Sequence, residues 1–291
     1  MAQTPPPASA MQPVLRLIRM PNAGLAPKIA AVVLLVIVLA TILAPWIAPH
    51  DPLAMDPLNR LKGPMPGHPL GTDNYGRDIL SRVLIGGRLS LMIGIATAIV
   101  SVLLGLIIGM IAGFFRTADA IIMRMMDALM AIPSILLAIA LVALNGPSVG
   151  SVIAAITIPE IPRVVRLVRA VVLTAREEPY VEAAIALGSS MPKILIQHLV
   201  PNTLAPLIVQ GTYILASAIL TEAILSFLGA GVSTETPTWG NIMAEGRMFF
   251  RIKPELILYP GLMLSLCILS INLLGDTARD MLDPRLKKRA G

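Results

Sequence analysis

Long apolar stretches recur along the chain, separated by short polar ones. Residues 29–47, 89–115 and 256–275 contain no charged side chain. A helix needs about 20 predominantly apolar residues to cross the hydrocarbon core of a bilayer. Each of these stretches therefore predicts a membrane-spanning helix.

Three less regular stretches are also predicted to be membrane-spanning helices. Residues 128–144 and 203–221 are uncharged, whereas the stretch from Ser148 is interrupted by Pro159, Glu160 and Pro162. We expect the two prolines to kink this helix. Three arginines follow at helical spacing and are expected to reach the membrane surface with their charged ends, namely Arg163, Arg166 and Arg169. The chain is predicted to be an all-α, polytopic membrane protein with six transmembrane helices.

The pattern divides the chain into five parts. A tail covers residues 1–28, and residues 29–47 form the first span, whose apolar run is too long for a cleaved signal peptide with its core of about 7–15 residues. A Pro-rich polar segment covers residues 48–87. The five remaining spans occupy residues 88–277, and a charged tail follows at residues 278–291.

The end of the polar segment is amphipathic. Apolar side chains alternate with charged ones at helical spacing, with Ile79, Leu80, Val83 and Leu84 set against Arg77, Asp78 and Arg82. This pattern predicts a helix that lies on the membrane surface before the second span. The alternative is a connector that only caps the helix bundle.

Three glycines in the second span recur every four residues, at Gly105, Gly109 and Gly113. They share one face of the helix. Small residues on such a face allow the backbones of two helices to approach closely within a bilayer. We expect this face to pack against a neighbouring helix.

A polar stretch at residues 177–202 separates the fourth and fifth spans and predicts two short helices, which we call the elbow. Pro179 suits a first turn, Gly188 a stop, Pro192 a second start, and Pro201 a second stop. We expect the elbow to lie at a membrane surface and to present its small and acidic residues outward, namely Glu182, Ala183, Ala184 and Gly188.

Composition and charge agree with a membrane protein. Charged residues are only 14% and hydrophobic residues 56% of the chain, against roughly 25% charged residues in soluble domains. The net charge of +6 favours anionic lipid or an acidic partner over nucleic acid, because the basic residues flank the apolar runs. Most Lys and Arg residues fall on the side of the tails and the elbow, which predicts that both termini and the elbow are cytoplasmic.

The fifth span is the most polar, with Gln210, Tyr213 and Ser217 among its residues. Polar groups are unfavourable in lipid unless they face protein or water, so this helix is predicted to line a translocation route. Glu222, just beyond it, is either a structural acceptor or a charge in the route. Glu160 either pairs with a nearby arginine or senses a cationic substrate.

The sequence offers no catalytic chemistry. It contains no phosphate-binding Gly-x4-Gly-Lys-Ser/Thr loop, Cys267 is alone, and the three histidines are too scattered to suggest a metal site. We therefore expect no enzyme activity, no metal and no cofactor in this chain. A self-sufficient channel or secondary transporter would suit an internal repeat, which is not evident. A membrane-embedded enzyme would need convergent catalytic residues, and none is seen.

Four blocks of sequence bear a resemblance to one family. The spacing from Glu182-Ala183-Ala184 through Gly188 to Pro201 resembles the EAA loop of bacterial ATP-binding-cassette importer permeases. Its ending, His198-Leu199-Val200-Pro201, is similar to the peptide and nickel branch. The blocks at residues 68–78, 236–240 and 272–285 resemble that branch too.

The resemblance implies a type I importer fold in the bacterial cytoplasmic membrane. The implied partners are a second permease subunit, two ATPase subunits that bind ATP and Mg, and an extracytoplasmic substrate-binding protein. The elbow would contact an ATPase through Glu182, Ala183, Ala184 and Gly188, with Pro201 closing the motif. Di- and oligopeptides are the implied substrates, with glutathione-like peptides or nickel chelates as alternatives.

Overall fold

The computed structural model describes residues 24–282, so the predictions for most of the two tails lie outside the described residues. The helices are α1 Leu25–Ile42, α2 Ala44–Ile47, α3 Ile79–Phe114, α4 Arg116–Met130, α5 Ser134–Asn145, α6 Val149–Ala175, α7 Pro179–Ala186, α8 Met191–Ile194, α9 Val200–Phe227, α10 Trp239–Gly246 and α11 Glu255–Leu282. A π-helical turn, Leu195–Leu199, joins α8 to α9.

Within this range four helices are long and apolar enough to cross a membrane: α1, α3, the continuous helix Met191–Phe227, and α11. The pair α4–α5 forms a fifth candidate, bent by 89°. Helix α6 is 27 residues long and packs against α3, α5 and α9, although it carries several charged residues. It is not one of the candidate spans, so the described residues support four or five of the six predicted spans. Its two prolines lie within a continuous helix.

The third predicted span is not one straight helix. The apolar stretch 128–144 is broken after Met130, and a new helix starts at Ser134 with Pro133 as its N-terminal cap. Proline offers no backbone N–H to the preceding turn, and it forces the residue before it out of the helical region. Pro133 therefore ends one helix and begins the next.

The prediction of a separate surface helix before the second span was wrong. Residues 79–88 are the first turns of the 36-residue helix α3, which is about 54 Å long. Its charged face does not face water, because Arg82 is 1% exposed and pairs with Asp73 and Glu245. The amphipathic pattern arises because protein, rather than solvent, covers the polar face.

The glycine face of α3 packs against α6, as predicted. A Cβ atom added to Gly109 would lie 2.7 Å from Cβ of Val168, and one added to Gly113 would lie 2.6 Å from Cβ of Val172. Gly105 meets Val164 in the same way. Because the contacts advance together along both helices, α3 and α6 run parallel, with their C-terminal ends at the same end of the bundle.

Three apolar clusters fill the bundle around these helices. One joins α1, α3, α9, α10 and α11 around the fully buried Trp239. A second joins α3, α6, the elbow and α9. The third joins α3, α5, α6 and α9. Helices α3 and α9 contribute to all three clusters, so they connect both ends of the molecule.

Substituting Gly109 with Val should separate α3 from α6. The added side chain has no space beside Val168 and the carbonyl of Val165, and overpacking of this kind costs about 1–3 kcal/mol. We expect a lower midpoint of thermal unfolding in detergent. Gly211→Ala is the control, since its Cβ would make only an ordinary 3.6 Å contact. Equal stability of both variants would contradict the close α3–α6 contact.

Candidate coupling and translocation sites

The first helix of the elbow forms as its sequence predicts. Helix α7 begins with Pro179 in its first turn and ends before Gly188, whose φ of 74° is in the left-handed region. The backbone N–H of Ser189 donates to the carbonyl of Ala184 at 3.0 Å. This hydrogen bond satisfies a carbonyl at the helix end, and glycine adopts the required φ without steric cost.

One side of α7 is clamped to the bundle and the other is free. Glu182, Ala183 and Gly188 are exposed as predicted, but Ala184 is only 8% exposed and packs with Val181 in the second apolar cluster. The prediction that Ala184 faces outward was wrong. Residues three apart share a helix face, so Ala184 must follow Val181 inward.

Two apolar side chains of the elbow point to solvent, and their exposure was not predicted from the sequence. Ile185 is 50% exposed and Leu187 is 86% exposed. They lie beside Glu182 and Ala183 on the free side of α7. Helical spacing alone could have found them, because Val181 and Ala184 mark the opposite face.

Pro201 does not end the second helix of the elbow, which corrects another prediction. The helix runs without a break from Met191 to Phe227, and Pro201 lies in the first turn of α9 directly after the π turn Leu195–Leu199. A π turn leaves room where the proline ring would otherwise meet a carbonyl of the preceding turn. The elbow is thus continuous with the fifth span.

The elbow lies at the end of the bundle where α3 and α6 both terminate. Arg176 donates to the carbonyl of Gly113 at 3.1 Å, which joins the ends of these helices. Tyr180 of α7 accepts a 2.8 Å hydrogen bond from Asn202 of α9. An open cleft of about 600 Å³ lies between α6, the elbow and α9.

Two arginines of α6 pair with carboxylates of a neighbouring helix. Arg166 donates to Asp127 at 2.6 Å, and Arg169 donates to Asp119 at 2.6 Å. Both acceptors belong to α4. These ion pairs fasten α4 to the same end of α6 that carries the elbow.

Two predicted route residues come together between α6 and α9. Glu160 is 5% exposed, accepts from Arg163 at 3.1 Å and is 3.3 Å from the hydroxyl of Ser217. Its pairing with an arginine of its own helix is one of the two alternatives that its position left open. The Glu160 carboxylate is therefore a polar group at the contact between α6 and α9.

Gln210 and Tyr213 lie nearer the elbow end, in a second open cleft of about 480 Å³. Arg279 of α11 also lines this cleft. The Tyr213 hydroxyl donates to Asp276 of α11. These residues form a group separate from Glu160 and Ser217. Gln210, Tyr213 and Ser217 are half-buried, and Glu160 is buried.

Glu222 has the environment of a structural acceptor. It is 0% exposed and accepts hydrogen bonds from Ser90 of α3 at 3.1 Å and from Ser226 at 2.8 Å. Ser90 in turn accepts from the backbone N–H of Trp239 at 3.2 Å. The carboxylate therefore links α9, α3 and α10, and it faces no open space.

A second polar assembly lies at the end of the bundle away from the elbow. We call residues 48–78 together with α10 the cap. Arg77 pairs with Asp73 at 2.6 Å and also with Glu245 of α10, and Glu245 accepts from Arg82 at 3.1 Å. Four charged side chains thus hold the polar segment, α3 and α10 together.

Close backbone contacts complete the cap. Gly71 has a φ of 79°, and a side chain there would collide with the carbonyl of Lys62. The Lys253 ammonium donates to the same carbonyl. Burial lowers the pKa of Lys253, because a charged amine is less well solvated there than in water.

The cap brings together two of the three histidines. They are far apart in sequence, and no metal site was predicted from them. In the structure the rings of His50 and His68 stack with their centroids 4.4 Å apart, beside Asp78. His198 lies in the elbow, at the other end of the bundle.

Comparison with protein families shows to which family the chain belongs. Residues 101–288 match the model of the binding-protein-dependent transport system inner membrane component, and residues 28–64 match the N-terminal TM domain of oligopeptide transport permease C. The chain belongs to this inner-membrane permease family. The predicted all-α, multi-span membrane class and the type I importer fold are thereby confirmed.

Individual relatives resemble the permease over most of its length. A probable peptide ABC transporter permease protein of Sinorhizobium fredii is 51% identical over 82% of both chains. A di/tripeptide transport system permease protein of Pseudomonas aeruginosa is 42% identical over 88% of this chain and 87% of its own length. Among solved structures, a chain of the inward-facing MetNI methionine ABC transporter is 21% identical with a TM-score of 0.48, covering 67% of this chain and 94% of that one.

Substituting Glu245 with Gln should loosen the cap. Arg77 and Arg82 would then share only Asp73, and removing one partner of a buried ion pair costs about 3–5 kcal/mol, less where the partner is partly exposed. We expect a lower unfolding midpoint and faster proteolysis of residues 48–78. Glu235→Gln, an exposed change in the loop before α10, is the control. Unchanged proteolysis of the Glu245 variant would show that the ion pairs do not hold the cap.

Proposed function

We propose that this permease takes up di- and oligopeptides as one membrane subunit of an ATP-binding-cassette importer. A second permease subunit completes the route, two ATPase subunits bind ATP and Mg and supply the energy, and an extracytoplasmic binding protein delivers the substrate. The permease itself binds no cofactor. The peptide and dipeptide permeases among its relatives support this substrate class.

The observation that carries the proposal is the two-sided elbow. Its inner side, Val181 and Ala184, is packed against α6 and α9, while its outer side presents Glu182, Ala183 and Leu187 to solvent. An acidic side chain beside an exposed apolar one suits a protein partner, because the apolar contact gives affinity and the charge gives orientation. The ATPase is the partner that the family membership supports.

The elbow is placed to transmit motion. Helix α7 follows α6 after three residues, and the second half of the elbow is continuous with α9. A force on α7 therefore acts on the two helices that carry Glu160, Ser217, Gln210 and Tyr213. Packed helices respond to such a force by rigid-body rotation or sliding rather than by continuous deformation. Movement of α6 relative to α9 would separate Glu160 from Ser217.

The polar groups between these helices suit a peptide. A dipeptide carries one ammonium and one carboxylate, and each group needs a partner once it leaves water. Glu160 with Arg163 on α6, and Asp276 with Arg279 on α11, offer both signs on two helices that pack against α9. Glu222, in contrast, acts as a structural acceptor. Glutathione-like peptides and nickel chelates remain the alternative substrates.

The orientation follows from charge. We place the elbow, both termini and the α4–α6 ion pairs in the cytoplasm, and the cap on the outer side, because segments rich in Lys and Arg stay inside. The cap then faces the side from which a binding protein would deliver substrate. Exposed apolar faces of α1, α4 and α5 are available to lipid and to the second permease.

Substituting Glu182 with Arg should uncouple transport without unfolding the chain. The side chain is exposed, so the permease should reach the membrane in normal amount. A reversed charge at the contact should lower recovery of the ATPases in a pull-down, and uptake of a labelled dipeptide, by about tenfold, which corresponds to about 1.4 kcal/mol.

Glu235→Arg is the matched control, because it reverses an exposed carboxylate at the other end of the bundle. It should leave recovery of the ATPases unchanged. Normal ATPase recovery and normal uptake by the Glu182 variant would count against the coupling role. Uptake that persists after ATP depletion would instead support an independent channel.

Replacing Leu187 with Ser tests the apolar half of the same contact. Leu187 is 86% exposed in the isolated chain, so its loss should not lower the unfolding midpoint. If the ATPase covers this side chain, its removal should weaken association by about tenfold. Leu228→Ser, at the other end and 55% exposed, is the control. Equal ATPase recovery from both variants would exclude Leu187 from the interface.

A further inference from the structure

Three side chains of the cap bring possible metal ligands together at one point. His50, His68 and Asp78 each offer one ligand atom, and these atoms all lie within 4.8 Å of one another. His50 lies near the start of the polar segment, His68 lies in a tight turn, and Asp78 caps the N-terminus of α3. The group lies outside the elbow and outside the route positions.

Nitrogen atoms of both rings lie near the carboxylate, but one ring must turn before two nitrogen lone pairs can point at the same ion. The imidazoles of His50 and His68 are nearly parallel, with an interplanar angle of 18° and centroids 4.4 Å apart. Nδ1 of His68 is 3.0 Å from Oδ1 of Asp78. Ligand atoms that share one zinc ion at about 2.0–2.1 Å lie about 3–3.5 Å apart. The exposed His50 ring can close the remaining gap by rotating about its own side-chain bonds.

Ser81 orients the Asp78 carboxylate and anchors the backbone of His50. Its backbone N–H and its hydroxyl both donate to Oδ2 of Asp78, at 2.8 and 2.7 Å. The same hydroxyl accepts from the backbone N–H of His50 at 3.1 Å. Oδ1 of Asp78 is thereby left to face the histidines. Hydrogen bonds that orient the ligands in this way are typical of functional metal sites.

Exposure increases across the group. Asp78 is 0% exposed at its side chain, His68 is 14% exposed, and His50 lies at the surface. An ion could therefore reach the group from solvent and keep one coordination position for water. Two imidazoles and one carboxylate favour borderline divalent ions such as Zn²⁺ over Ca²⁺ or Mg²⁺, which prefer oxygen ligands.

We propose that His50, His68 and Asp78 form a binding site for one divalent transition-metal ion of the Zn²⁺ class. The bound ion would fasten the start of the polar segment to the turn at His68 and to the first turn of α3. It would stabilise the cap, since a ligand that binds only the folded form shifts the folding equilibrium toward it. The site is independent of the proposed transport function.

The test is titration of the purified full-length permease with ZnCl₂ by calorimetry, in detergent, after removal of metal with a chelator and cleavage of any histidine tag. We expect one Zn²⁺ per chain and a higher unfolding midpoint in its presence. His50→Ala and His68→Ala should each weaken binding by about tenfold or more. Asp78 is left unchanged, because its side chain caps α3.

His198→Ala is the matched control, since it removes the remaining histidine of the sequence from the other end of the bundle. It should bind Zn²⁺ like the unmodified protein. The proposal is overturned if the unmodified protein takes up no Zn²⁺ at about millimolar concentration, or if His50→Ala binds it equally well. In either case the His68–Asp78 contact is a hydrogen bond of the cap only, and the transport proposal stands unaffected.

Discussion

The close contact between α3 and α6 is the constraint on which the rest of the structure depends. Glycines at 105, 109 and 113 allow Val164, Val168 and Val172 to approach the α3 backbone directly. In a bilayer, lipid chains compete equally for apolar side chains, so close packing rather than the hydrophobic effect holds such helices together. This contact fixes α3 and α6 parallel and in register, and it sets which end of the bundle receives each connecting segment.

Both ends of the bundle are attached to this pair of helices. At one end the elbow follows α6 directly, and Arg176 joins it to the last turn of α3. At the other end Asp78 caps α3, and Arg82 draws α10 against its first turns through Glu245. Helix α9 completes the frame, because it continues from the elbow and carries Glu222 to Ser90 of α3. Packed helices therefore connect the elbow with the cap without a break.

Polar side chains inside the bundle serve mainly to fix the helices relative to one another. Glu222 is satisfied by two serines, and Asp119 and Asp127 of α4 pair with arginines of α6. Because unpaired polar groups cost several kcal/mol away from water, each such contact disfavours a shifted arrangement of the helices. Glu160 differs from these groups, since its contact to Ser217 crosses between the two helices that the elbow connects.

The sequence by itself determined the membrane class, the approximate positions of the spans, the stop at Gly188 and the glycine face of α3, because these depend on local composition and spacing. Only the tertiary structure decided what covers each face. Arg82 was expected on a face toward the membrane surface, but it is buried and pairs with Glu245. Ala184 packs inward with Val181, and Pro201 continues a helix after a π turn. His50 and His68 meet only because the cap folds back on α3. Contacts between residues distant in the chain carry no local signal, so such pairings can be read only from the folded molecule.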